Sequence, residues 1–207
     1  MTGLAGLAAG TALVAAAELD STLAFQVMVS RPIVLCPLLG AILGNPLMGA
    51  FVGLVVELLS HDKMPIGGLI PANATVSAGG ALLLALGPGA VALPVAVPAG
   101  LVLGRLHERL VDSPLRLRRG QIARRVAAAL GRGEDVRLGG LAARALLLQF
   151  GATFVLLAAF LLALKPLGVL AWSSLDGTAL KTGLWVALLI APWSGLGMLA
   201  HSLRWAR

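Results

Sequence analysis

Cysteine is almost absent from this chain. A single thiol, Cys36, in 207 residues excludes an internal disulfide and any metal centre built from a cysteine cluster. Its apolar surroundings make it a packing residue and not a nucleophile. Charge is scarce too: 12% of the residues are Asp, Glu, Lys or Arg, against about 25% in soluble domains. No phosphate-cradling glycine loop of the Walker type is present. The three histidines, His61, His107 and His201, stand in no sequence constellation with a nucleophile or metal ligands. Self-contained catalysis, a resident metal and a cofactor are therefore not expected.

What fills the chain instead is apolar and small. Hydrophobic residues make up 58% and glycine contributes 26 residues, and mean hydropathy is +0.95. Small residues let helices approach closely where no hydrophobic effect drives them together. The expected fold is all-α: a polytopic integral membrane protein with transmembrane and re-entrant or broken helices, in one domain over residues 1–207. Residues 1–104 would hold the N-terminal helices and re-entrant segments, 105–140 a basic cytoplasmic loop, and 141–207 the C-terminal transmembrane helices. Thr2–Ala17 has the length of a signal peptide but lacks a basic start, so it reads as a retained first membrane segment.

The charge that exists is concentrated. Between Arg105 and Arg144 lie ten arginines and four acids, which is +6 of the total +7. Cytoplasmic loops of membrane proteins collect Lys and Arg, which places this loop on the cytoplasmic side. Within it Ile122, Val126 and Leu130 recur every four residues among Arg118, Arg119, Arg124 and Arg125. That pattern predicts an amphipathic helix for the lipid interface or for a cytoplasmic partner. Aromatic interleaving is missing, so nucleic acid is not an expected partner. Leu141–Leu164 and Thr182–Ala200 read as a return pair of spans. The Lys165–Lys181 link would then lie outside, and Arg204 and Arg207 back on the cytoplasmic side.

The N-terminal half departs from simple crossings. A hydrocarbon core of about 30 Å needs roughly 20 helical residues. Pro46–Leu59 is too short, Val27–Leu43 is interrupted by Arg31-Pro32 and Pro37, Ile66–Leu86 carries Pro71 in its first turns, and Gly89–Gly104 holds Pro94 and Pro98. Short segments punctuated by glycine and proline point to discontinuous helices whose ends line a binding site.

Polar residues in this stretch are the candidates for function, because charge at membrane depth is costly. Gly49, Gly53 and Glu57 are spaced by four and form one helical stripe, whose glycines mark a packing face. Glu57 then points into the protein. It is a ligand group, able to accept two hydroxyl hydrogen bonds, or half of an ion pair with Arg31 or Lys63, or a residue near enough to the interface to be wet. Arg31 and Pro32 read mainly as structural, and Asn73 as a helix N-cap or a ligand group. His61 reads as a residue at the membrane edge.

The ordered string of short motifs is fairly specific. Phe25-Gln26, Ser30-Arg31-Pro32-Ile33-Val34, Pro37-Leu38-Leu39-Gly40, Leu43-Gly44-Asn45-Pro46, Gly49, Gly53, Glu57-Leu58-Leu59, Pro65-Ile66-Gly67 and Pro71-Ala72-Asn73 together resemble the IIC subunit of the bacterial phosphotransferase system, mannose/fructose/sorbose type. The resemblance implies the membrane channel for a hexose-type sugar in the bacterial inner membrane. It also implies an oligomer with a IID-like membrane subunit, and cytoplasmic IIA and IIB proteins that relay the phosphoryl group. By the same resemblance Gln26, Glu57 and Asn73 would contact the sugar, while Arg31, Pro32, Asn45 and Pro71 would serve structure or gating. Two departures stand out: members of the family commonly carry acids where this chain has Asn45 and Asn73. These keep open a second reading, a degenerate relative that docks or regulates phosphotransferase components. A third is an unrelated small-solute channel.

Overall fold

The computed structural model describes residues 3–22, 28–60, 72–175 and 177–205. Among these the regular elements are helical: α1 (Leu4–Thr22), α2 (Pro32–Ile42), α3 (Pro46–Ser60), α4 (Ala74–Ala85), α5 (Leu93–His107), a π-helical turn (Glu108–Asp112), α6 (Ser113–Gly131), α7 (Leu138–Ser174) and α8 (Thr178–Trp205). The all-α expectation holds.

Four of these helices are short. At about 1.5 Å per residue, α2 (11 residues), α3 (15), α4 (12) and α5 (15) span about 17–23 Å, less than a hydrocarbon core of about 30 Å. They pair as two hairpins, α2 with α3 and α4 with α5. The first turn is made by Gly44 at φ +88°, where a side chain would be strained. There Asn45 N–H donates to Gly40 O at 2.7 Å, and Pro46 opens α3. Arg31-Pro32 does not interrupt a helix but begins one: Arg31 is extended and Pro32 is in the first turn of α2, where its missing N–H costs nothing. Pro37 and Pro98 sit within α2 and α5 without ending them. The Ile66–Leu86 segment becomes helix only from Ala74.

Helix α4 is the axle. Every residue from Thr75 to Ala85 is buried, and α4 packs against α1, α2, α3, α5 and α7. A helix apolar all round belongs in such a position. Small residues set the approach distances: a Cβ on Gly79 would lie 2.5 Å from Val14, and one on Gly80 2.5 Å from Leu103. The stripe read from sequence behaves as expected. A Cβ on Gly49 would collide with the Cys36 carbonyl, and one on Gly53 would lie 2.5 Å from Pro32 O.

Two expectations for the C-terminal half change. The first return span does not stop at Leu164. Helix α7 runs on through Lys165 and Pro166 for 37 residues, about 55 Å, so the link to α8 is residues 175–177 and not Lys165–Lys181. The reason is tertiary: Lys165 is buried, and its ammonium donates to Leu86 O at 2.8 Å and Pro88 O at 2.9 Å in the α4–α5 turn. Helix α8 likewise exceeds its predicted bounds at both ends. Helices α1 and α7 are long and apolar enough to cross a membrane. The basic segment forms α6 as predicted, and none of its residues is buried.

Candidate functional site

Polar groups gather in two places. The first is on the α2–α3 hairpin. Arg31 at the head of α2 reaches Glu57 near the end of α3, with Nη1 donating to Oε1 at 3.0 Å. The ion-pair reading of Glu57 is therefore realised at one oxygen. The other, Oε2, is buried with no hydrogen-bond partner among the described residues. A buried carboxylate oxygen without a donor is costly, and it is free to take a hydroxyl.

The second gathering lies where four segments meet: the end of α1, the start of α4, the π turn after α5, and α7. Asn73 caps α4, its Oδ1 accepting from Val76 N–H at 3.0 Å. Its Nδ2 donates to Glu18 Oε1 at 3.3 Å and to Asp112 Oδ2 at 3.2 Å. Gln149 of α7 bridges the same two carboxylates, donating to both Glu18 oxygens at 3.1 Å and to Asp112 Oδ1 at 2.8 Å. Its own Oε1 accepts from Arg119 of α6 at 3.5 Å. His107, fully buried, has Nε2 2.8 Å from Thr153 Oγ1. The close approach of α5 to α4 that makes this possible depends on Gly104, whose Cβ would lie 2.5 Å from Asn73 O. The π turn matters as well: such turns are rare and cluster at functional sites, and this one carries Asp112 back toward His107, 3.3 Å away.

The residues expected from the sequence thus divide. Glu57 and Arg31 come together; Asn73 belongs to the other cluster, with both ends of its amide engaged. Asn45 is an N-cap, its Oδ1 accepting from Met48 N–H at 3.0 Å. Gln26 and Pro71, with His61 and Lys63, lie outside the described residues. Sequence reasoning missed Glu18, Asp112 and Gln149 and set His107 aside, although His107 does stand in a constellation. One signal was available: Gln149 is the only amide in the apolar run 141–164, and an amide there needs partners inside the protein.

The family model described as the PTS system sorbose-specific IIC component matches residues 5–204. The chain belongs to this family. As a IIC component it is a phosphotransferase-system membrane subunit of sugar transport. None of the curated proteins compared with it matches. Among solved structures, one titled "Structure of membrane protein" has a TM-score of 0.75 at 16% identity, covering 98% of this chain and 81% of its own. The mannose transporter ManYZ in complex with microcin E492 (MceA) has a TM-score of 0.65 at 17% identity, covering 99% and 82%. At these identities the likeness concerns the fold alone, a helical membrane-protein architecture.

Proposed function

We propose that this IIC subunit conducts a hexose-type sugar across the bacterial cytoplasmic membrane as a multi-pass channel. A IID-like membrane subunit would complete the channel, and separate IIA and IIB proteins would phosphorylate the incoming sugar, so the chain itself does no catalysis. The observation that carries this reading is the family match over nearly the whole chain. The structural likeness to a mannose transporter is in keeping with it, as is a buried carboxylate oxygen at Glu57 with capacity to spare. In this reading Glu57 accepts sugar hydroxyls through Oε2 while Arg31 holds Oε1 in place. By the family resemblance Gln26 is a further candidate for sugar contact. Asn73 acts through the position of the α4 start, because its donors are committed to Glu18 and Asp112.

The test is sugar uptake in cells that supply the partner subunits. Glu57→Gln removes the charge and abolishes uptake while the protein still inserts. Arg31→Gln breaks the same ion pair but leaves the carboxylate, and it retains part of the uptake. Normal uptake by Glu57→Gln would overturn the assigned role. Equal loss in both variants would reduce Glu57 to a structural ion pair.

A further inference from the structure

The geometry points to a divalent transition-metal site, of the kind Zn²⁺ occupies, formed by one carboxylate oxygen each of Glu18 and Asp112 and Nδ1 of His107. These ligand atoms lie within 4.8 Å of one another, and all three residues are buried. Around a single ion with bonds of about 2.1 Å the ligands of a tetrahedral site lie about 3.4 Å apart, so a small inward movement of side chains closes the site.

The state of His107 is the deciding observation. Its Nε2 is engaged with Thr153, whereas Nδ1 is buried and makes no hydrogen bond. Yet Nδ1 faces Asp112 Oδ2 at 3.3 Å. Where the Thr153 hydroxyl donates to Nε2, Nδ1 carries the ring proton toward this carboxylate; where Nε2 donates to Thr153, Nδ1 presents a lone pair there. A metal ion between Nδ1 and the carboxylates would take the place of the Nδ1 proton, with the ring proton moved to Nε2 and donated to Thr153. The surrounding groups follow the pattern of a metal site: the distal imidazole nitrogen is fixed by a side chain, and the carboxylates are oriented by neutral donors from Gln149 and Asn73. Imidazole with two carboxylates suits Zn²⁺ and its neighbours better than Mg²⁺ or Ca²⁺, which favour oxygen donors alone. The +2 charge would balance two buried carboxylates, and three protein ligands would leave one position open. Such an ion ties the end of α1 to the π turn, and through Gln149 and Asn73 to α7 and α4. This inference is independent of the sugar assignment above.

The test uses the intact chain, purified in mild detergent without a polyhistidine tag and stripped with a chelator. Titration with Zn²⁺ is expected to reach one ion per chain and to raise the melting temperature as binding stabilises the folded state. Co²⁺ in its place is expected to give visible d–d absorption that Zn²⁺ displaces. His107→Gln and Glu18→Gln each weaken binding at least about a hundredfold, since direct ligands matter at least as much as the groups that orient them; His201→Gln leaves it unchanged. If either variant fails to fold, the wild-type titration decides alone. Absence of saturable one-ion binding by the stripped wild-type chain overturns the site, and so does unchanged Co²⁺ absorption in folded His107→Gln.

Discussion

Asn45 and Asn73 stand at the starts of α3 and α4, each accepting a hydrogen bond from the backbone N–H three residues on. Aspartate caps as well as asparagine, and a negative charge at a helix N-terminus is favourable. The two positions still differ, because only Asn73 also donates, and it donates to two carboxylates. Replacing Asn45 with the acid common in the family is expected to leave stability within about 0.5 kcal/mol. Asn73→Asp would bring a third carboxylate against Glu18 and Asp112. In chelator-stripped protein it is expected to cost at least about 3 kcal/mol, the scale of an uncompensated buried charge. Denaturation of both variants in the same detergent checks this, and equal stabilities would mean that the Glu18–Asp112 pair does not sense position 73. The capping role of Asn73 was legible because it depends on neighbours in sequence; that of Asn45 was not read. The donor role was not: it needs Glu18, 55 residues away, and Glu18 is in turn joined to Gln149 across 131 residues.

Helices, unlike contacts, could be read largely from local pattern. The short segments, the glycine stripe of α3 and the helix over the arginine-rich stretch all followed from spacing and breakers. Of the misjudged boundaries the one with a tertiary cause is in α7, where Lys165-Pro166 looks like a stop. A lysine within an apolar helix is costly only if it lacks a partner, and this one finds two carbonyls in a turn almost 80 positions earlier. Helix α6 carries the clearest consequence at this scale. It buries nothing, its apolar Leu117, Ile122 and Leu130 are exposed, and arginines flank them. Such a helix is suited to dock on an anionic lipid surface, and trypsin cleavage tests that reading. In detergent, trypsin is expected to cut first within α6, at Arg116, Arg118, Arg124 or Arg125. In vesicles rich in anionic lipid with this face accessible, the same bonds are expected to be protected, and protection should fade at high salt. Equal cleavage in both settings would assign α6 to a protein partner rather than to the bilayer.

Across the whole molecule, packing is lopsided. Helix α4 is enclosed by α1, α2, α3, α5 and α7, whereas the far side of α7 is open: Leu147, Val155, Leu162 and Leu170 are exposed while Leu157 and Leu161 face the core. The outward leucines and valine are as apolar as the inward ones, so hydropathy alone does not mark the inner face; the polar Gln149, Thr153 and Lys165 on it do. That is why a hydropathy reading finds the span but not its inner face. A IID-like subunit in the proposed channel would find an apolar surface here. Cys36, the single cysteine, is buried, which leaves a quiet background for cysteine-based probes. A photoreactive label attached at Leu162→Cys or Val155→Cys, irradiated in the native membrane, is expected to capture a second membrane polypeptide. The same label at exposed Leu117→Cys in α6 is expected to miss that polypeptide. Capture of lipid alone from both α7 positions would mean that this face meets the bilayer, and that a membrane partner, if the channel has one, joins through the α2–α3 hairpin or α8.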